Sequence, residues 1–336
     1  MFEKNFCFDD VLLVPQLSDI ISRKEINLSS SLENNIDFLI PIISSPMDTV
    51  TESKMACKMN SLGGLGVIHR YNSIEEQSKI ILEVSKTGHS AAAIGVSGDY
   101  IERAQSLKDA GANILCIDIA HGHHVLMRHA LKALRNTVGY DIHIMAGNVA
   151  TLEAFNDLAD WGANSIRVGI GGGSICSTRI QTGHGMPTFQ SIVNCSKSDR
   201  NVALIADGGI RNSGDIVKSL AAGADFVMLG SLLAGTDESP GDEFVSNGKK
   251  LKTYRGMASK NAQMEWRGHT ASIEGVTSSV SAKGSLQDTI LELMTGARSG
   301  LSYTGARTIR QLQASSKFIQ QTSAGSVESS THIKLK

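Results

Sequence analysis

A short apolar run followed by a longer amphipathic segment recurs eight times between residues 41 and 231, and this recurrence constrains the fold more than any other feature. The runs are PIISSPM (41–47), GLGVIHR (64–70), SAAAIGV (90–96), NILCIDIA (113–120), IHIMAGNV (142–149), SIRVGIG (165–171), ALIADGG (203–209) and FVMLGS (226–231). Each is rich in Val, Ile, Leu or Ala, as strands buried on both faces are. Helical patterns lie between them. Three of these, YIERAQSLKDAGA, TLEAFNDLADWGA and NSGDIVKSLAAGA, close on a glycine suited to the left-handed end of a helix. Eight β-then-α units in succession predict an α/β fold, a (β/α)8 TIM barrel. A doubly wound sheet is the rival, but six strands usually suffice there and the chain order shows no strand reversal.

A single barrel also suits the length, so residues 1–336 are read as one domain. The net charge of −1 gives no electrostatic case for nucleic acid or an anionic membrane. No apolar run reaches membrane-spanning length, and the N-terminus MFEKNFCFDD lacks the apolar core of a signal peptide. The five cysteines (Cys7, Cys57, Cys116, Cys176, Cys195) have no paired or metal-binding spacing. They read as reduced thiols of a cytoplasmic protein. Residues 232–284 are polar and rich in Gly, Ser and Lys, which predicts an active-site loop and flap rather than core. Helices are expected from about Ser285 to Thr295 and around Ala306 to Ser315, followed by a polar, extended or mobile tail over 322–336.

The polar and glycine residues gather at the C-terminal ends of the runs, the rim where barrel chemistry takes place. They are Ser45, His69, Asp118, His121, Asn148, Gly171 to Cys176, Asp207 to Gly209, and Gly230 with Ser231. In GIGGGSICSTR, Cys176 is the only cysteine that this register puts on the rim. A glycine-rich turn can favour its thiolate and bind an oxyanion, and Thr178 can relay a proton. Gly208, Gly209, Gly230 and Ser231 occupy the phosphate-binding positions after strands seven and eight of a barrel. Asp207 is then placed to accept sugar hydroxyls, so a phosphorylated sugar, read as a nucleotide, is the expected ligand. His69, His121 and His123 lack metal spacing and a third ligand, so zinc is not expected.

The stretches FDDVLLVP, SSPMDTVTE, GVIHR, DIAHGH, AGNVAT, GIGGGSICSTR, ADGGIRNSGDIVKSLAAGADFVMLGSLLAG, YRGM and RSGLSYTGARTI together resemble the IMP dehydrogenase/GMP reductase family. The resemblance covers nearly the whole chain in the family's order, and it implies the same barrel, assembled as a homotetramer. It makes Cys176 the nucleophile that attacks C2 of a purine nucleoside monophosphate. Ser45, Met47, Asn148, Ser174, Asp207, Gly208, Gly209, Gly230, Ser231 and Tyr254 become substrate-binding positions, with Gly256 and Met257 near the base. The carbonyls of Gly171, Gly173 and Cys176 match a monovalent-cation site for K+. The family often has proline where this chain has Gly172. Asp118 matches the residue that binds the nicotinamide ribose, Ala120 and His121 are further cofactor-binding positions, and Arg267 is a candidate for the cofactor's 2′-phosphate.

The two activities of the family share the covalent intermediate and differ in how water or ammonia is handled. Three features resemble the reductase, which would convert GMP to IMP with NADPH. The regulatory CBS modules common in dehydrogenases have no room between the third and fourth strands. The segment from Met257 to Glu274 is short for a dehydrogenase flap. That segment also lacks the Arg-Tyr pair whose arginine activates water; Trp266-Arg267 is the nearest candidate. Losing such a base slows a reaction by ~10²–10⁴-fold. Glu274 matches the reductase's proton relay and would act with Thr178. The arginine expected just before it is replaced by Ala271, so NADH remains open beside NADPH. SSPMDTVTE and YTGARTI look more like dehydrogenases, which keeps IMP oxidation with NAD as the alternative. A non-catalytic purine-nucleotide-binding barrel is the remote one.

Overall fold

All eight apolar runs form strands, and the strands close on one another. In the computed structural model, which describes residues 3–32 and 36–329, three short strands precede the barrel. β1 (Val11–Leu13) pairs antiparallel with β15 (Phe318–Gln320, numbered in chain order), tying the two ends of the chain together. The hairpin of β2 (Ser30–Leu32) and β3 (Ile36–Phe38) plugs the barrel floor, where Phe38 meets Phe226 edge-on with centroids 5.5 Å apart.

The barrel strands are β4 (Ile42–Ser44), β5 (Leu65–Ile68), β6 (Ala91–Ile94), β7 (Ile114–Asp118), β8 (His143–Val149), β9 (Ser165–Val168), β10 (Ala203–Asp207) and β11 (Phe226–Leu229). Each pairs in parallel with the next, and β11 pairs with β4 to close the ring. Alternation along each strand divides two cores. Ile43, Val67, Ala93, Cys116, Met145 and Ile205 fill the interior. Ile42, Ile68, Ile94, Leu115 and Ile144 face the surrounding helices. With every strand covered on both sides, no polar alternation is needed, which is why the runs read as continuously apolar.

The helices between strands are α1 (Ser53–Ser61), α2 (Ile74–Val84), α3 (Tyr100–Asp109), α4 (Val125–Val138), α5 (Leu152–Asp160), α6 (Thr178–Thr182), α7 (Thr188–Cys195) and α8 (Ser213–Ala221). Side-chain caps start several of them. Ser73 and Glu76 form a reciprocal capping box on α2, and Asn212 caps α8. The three helical patterns end as expected, with Gly111, Gly162 and Gly223 at positive φ.

The segment after β11 departs from the flap expectation. It holds a three-stranded antiparallel sheet of β12 (Glu243–Ser246), β13 (Lys249–Arg255) and β14 (Thr277–Ser281), with helix α9 (Lys260–Arg267) inserted between the last two. Its base is core: Leu233 and Ala234 are fully buried. The ammonium of Lys252 is buried as well, donating to the carbonyls of Thr236 (2.8 Å) and Ser239 (2.6 Å). Polar side chains pack here through hydrogen bonds, and β12 and β14 expose most of their residues, so apolar periodicity is missing. α10 (Leu286–Ser302) runs a full two turns beyond the expected end at Thr295, and α11 (Ile309–Ser315) matches the second expected helix. The tail is not extended at its start, because Thr322 caps a short helix, α12 (Ser323–Glu328). The rest of the tail, 330–336, lies outside the described residues. No helix among the described residues is long and apolar enough to cross a membrane.

Candidate active site

The strand ends converge on a cavity of about 470 Å³. Ser45 and Met47 follow β4, Asp118 ends β7 with Ala120 beyond it, and Asn148 lies in β8. Gly171, Gly173, Ser174, Cys176 and Thr178 come from the segment after β9. Asp207 ends β10, followed by Gly208 and Gly209, while Gly230 and Ser231 follow β11. Tyr254, Gly256, Met257, Arg267 and Glu274 line the cavity from the insertion. His121 does not join them. The chain turns away after Ala120, with Gly122 N–H on the Asn148 carbonyl at 2.7 Å, and leaves the imidazole exposed outside the lining. The other rim histidines are also occupied elsewhere: His69 is buried against Glu52, and His123 pairs with Asp157 at 2.8 Å.

The loop bearing Cys176 is stitched to the insertion as a short antiparallel bridge. Ser177 N–H donates to the Glu274 carbonyl (2.9 Å) and Val276 N–H to that of Ile175 (3.0 Å). This pairing carries Glu274 to the cysteine across nearly a hundred residues of sequence. Thr178 Oγ1 donates to Glu274 Oε2 at 2.7 Å, and Cys176 Sγ lies 3.3 Å from the same hydroxyl. A hydroxyl has one proton, so with that proton on the carboxylate Thr178 must accept from the thiol. The result is a directional path from sulfur through oxygen to a carboxylate. Cys116 and Cys195 offer no comparable nucleophile, since burial pushes both thiols up to about 12.

Gly172, where the family often has proline, has a local reason to be glycine. A Cβ there would collide with Thr188 Oγ1, a buried hydroxyl with no described partner. Gly172→Ala should therefore shift the loop, lowering kcat about tenfold and stability by ~1–3 kcal/mol, as overpacking does. Turnover combined with thermal melting checks this. A variant matching the parent in both would show that the contact relaxes freely.

Arg167, in the middle of β9, is the residue that sequence reasoning missed. Its guanidinium is buried and forks between two strand-end carboxylates. Nη1 donates to Asp118 Oδ1 (2.6 Å), while Nη2 and Nε donate to Asp207 Oδ2 (2.8 and 3.2 Å). Burial opposes its charge, but Asp207, Cys116 and Asp118 outweigh that and hold the guanidinium well above its usual pKa. Asn148 Nδ2 donates to the same Asp207 oxygen at 2.8 Å. Among the described residues every donor to the Asp207 carboxylate falls on Oδ2, so Oδ1 keeps its lone pairs for a ligand. The available signal was a charged residue inside the apolar run SIRVGIG.

At the opposite end, burial pushes the Tyr254 phenol up to about 12, although a hydrogen bond with Ser174 pulls the other way. Tyr254 thus keeps its proton, and its hydroxyl lies beside Gly230. The carbonyls of Gly171, Gly173 and Cys176 are candidate oxygen donors for a cation. Gly173 O accepts Cys176 N–H at 3.1 Å and retains a second lone pair; no described donor occupies the other two. Such neutral oxygens fit a hard monovalent ion.

Helix α9 is fastened over the rim. Asp48 Oδ2 accepts from Arg255 Nε (2.9 Å) and Nη2 (2.6 Å) and from Trp266 Nε1 (3.1 Å). Tyr71 O–H donates to the Met257 carbonyl at 2.9 Å, and the Arg267 guanidinium stacks 5.2 Å from the Tyr71 ring centroid. An arginine–tyrosine pair therefore does line the cavity, assembled in space from α9 and the loop after β5. The adjacent Arg70-Tyr71 dipeptide places a second guanidinium 5.6 Å from the same ring.

A barrel with a cysteine-bearing loop after its sixth strand and paired carboxylates on its rim defines a narrow class. The chain belongs to the IMP dehydrogenase/GMP reductase family, whose domain model matches residues 5–332. The family's enzymes are oxidoreductases. The chain is 37% identical to inosine-5′-monophosphate dehydrogenase of Cryptosporidium parvum, covering 98% of this chain and 95% of that one. It is 33% identical to GMP reductase of Leishmania major, covering 97% and 96%. A solved structure of a Trypanosoma brucei GMP reductase variant in complex with guanosine 5′-monophosphate superposes with a TM-score of 0.94 at 31% identity, covering 99% of both chains. The Leishmania alignment extends over 472 positions, well beyond this chain's 336 residues, and so does that to a dehydrogenase of Nitrosopumilus maritimus. Long segments without counterpart here thus occur in relatives of both names, and the short chain does not separate the two activities.

Proposed function

We propose that the chain is a GMP reductase, converting GMP to IMP and ammonia with NADPH. The observation that carries this reading is the path from Cys176 through Thr178 to Glu274. GMP would lie with its phosphate toward Ser174, Gly209, Gly230, Ser231 and Tyr254, its ribose on the open oxygen of Asp207, and its base over Met257. Glu274 takes the thiol proton through Thr178 while Sγ bonds to C2 of the purine. The same proton returns along the path to the departing amine, so the C2–N bond breaks and ammonia leaves with the hydrogen the thiol gave up. This use of one group as base and then acid needs no water-activating residue. A reduced nicotinamide dinucleotide would supply the hydride that replaces sulfur at C2, after which Sγ takes up a solvent proton.

Asp118, Ala120, Arg70 and Arg267 would hold that dinucleotide, the arginines suiting its phosphates. The three loop carbonyls would hold K+. Leu17 and Ile21 are 98% and 97% exposed, which supports burial in a homotetramer that sedimentation would test.

A second reading, IMP dehydrogenase, is favoured by the Arg267–Tyr71 pair at the cavity wall. Absorbance at 340 nm separates the two. Loss of NADPH signal with GMP is the expected result; a gain of NADH signal with IMP instead establishes the dehydrogenase. Silence with both leaves the non-catalytic barrel. Glu274→Gln should cut the GMP reaction by ~10²–10³-fold with KM for GMP little changed. Undiminished turnover would remove Glu274 from the mechanism.

A further inference from the structure

The carboxylate of Glu274 has two oxygens, and the second is also held. Ser272 Oγ donates to Oε1 at 2.9 Å, on the side away from Thr178. Ser272 belongs to an exposed stretch, residues 264–273, without regular structure beyond α9. Such a stretch would not by itself keep a hydroxyl in register. Its anchor is Gln263, whose side chain points back from α9 and is 1% exposed. Gln263 Nε2 donates to the carbonyls of Ala258 (2.9 Å) and Ser272 (3.0 Å), and Oε1 accepts Ala271 N–H at 2.7 Å. One amide thus uses both donors and an acceptor to close the loop between the start of α9 and the residues before Glu274. The Ala258 carbonyl also accepts Glu274 N–H at 3.2 Å.

We propose that Gln263 and Ser272 are positioning residues for the reaction, a clamp that fixes the rotamer of Glu274 so that Oε2 faces Thr178. The inference rests on the relay role given to Glu274 above. A carboxylate bonded through one oxygen only can turn about its last torsion, which is broad and shallow. Bonded through both, it holds the short contact to Thr178 that proton transfer requires. The backbone pairing of Ser177 with Glu274 and of Val276 with Ile175 is independent of the clamp, so the segment carrying Glu274 stays in place without it.

The test uses the full-length enzyme with Gln263→Met, which keeps the length of the side chain and removes all three hydrogen bonds, and with Ser272→Ala and Ser272→Thr. Gln263→Met and Ser272→Ala should each lower kcat about five- to twentyfold while KM and Kd for GMP move less than twofold. Ser272→Thr, which keeps the hydroxyl, should recover most of the loss. In the Glu274→Gln background Gln263→Met should cost nothing further, the non-additivity expected of residues acting through one group. Additive losses, or losses expressed in KM and melting temperature, would make Gln263 merely structural and overturn the proposal. Wild-type kcat in both single variants, with Glu274→Gln impaired, would overturn it and leave the relay standing. An unimpaired Glu274→Gln would instead remove the relay itself.

Discussion

Cys176→Ala is expected to abolish turnover, with kcat reduced on the order of 10⁴-fold or more, while the protein still folds and still binds nucleotide. The size follows from what the sulfur does. In the proposed reaction, without Sγ no bond forms to the purine carbon and the relay of Thr178 and Glu274 has no proton to carry; removing the nucleophile from an interdependent set costs about as much as removing the whole set. Folding is spared because Cys176 is only partly buried in a loop held by its neighbours' backbone bonds. Affinity is spared because the proposed binding mode holds phosphate and ribose elsewhere in the cavity. Acid-quenched protein should show by mass a nucleotide adduct in the parent that is missing in the variant. Turnover within tenfold of the parent would rule out covalent chemistry at this residue and shift attention to direct hydride transfer.

The same residue shows what the sequence made legible. Cys176 could be singled out because the eight apolar runs put its loop on the rim, and the strands form where those runs stand. Asp118, Asp207 and the glycines of the barrel rim could likewise be found one strand end at a time, since a barrel converts position along a strand into position around a rim. Glu274 and Gly256 in the insertion, by contrast, were reached only through the family resemblance. Contacts between strands had no such rule. Asp118 and Asp207 were visible separately, but their union by Arg167 depends on three strands facing inward at one level. Tyr71 and Arg267 meet only because α9 folds back over the loop after β5. The three-stranded sheet in the insertion escaped because its strands are stabilised by pairing and by buried polar bonds, not by an apolar face. His121 shows the reverse failure, a residue near a strand end whose loop turns outward.

Arg167→Met should be the most destabilising of these single changes. It leaves two carboxylates near the barrel axis without the cation that forks between them, and breaking a buried pair in this way costs ~3–5 kcal/mol. A fall in Tm of roughly 5–10 °C follows. The two carboxylates should not suffer equally. Asp118 retains Arg70, whose Nε lies 3.8 Å from its second oxygen, whereas Asp207 retains only the neutral amide of Asn148. Loss of nucleotide affinity should therefore exceed loss of dinucleotide affinity, about a hundredfold against tenfold, because the proposed binding mode rests the substrate ribose on Asp207. Arg167→Lys separates charge from geometry. A lysine keeps the positive charge but cannot reach both partners in a planar fork, so it should restore much of the stability and little of the affinity. Calorimetric Kd values for GMP and NADPH, measured beside melting curves for both variants, decide the matter. If lysine restores affinity and stability together, Arg167 acts only as a counter-charge. If methionine weakens both ligands equally, the two carboxylates are not separate ligand positions, and the assignment of one ribose to each must be abandoned.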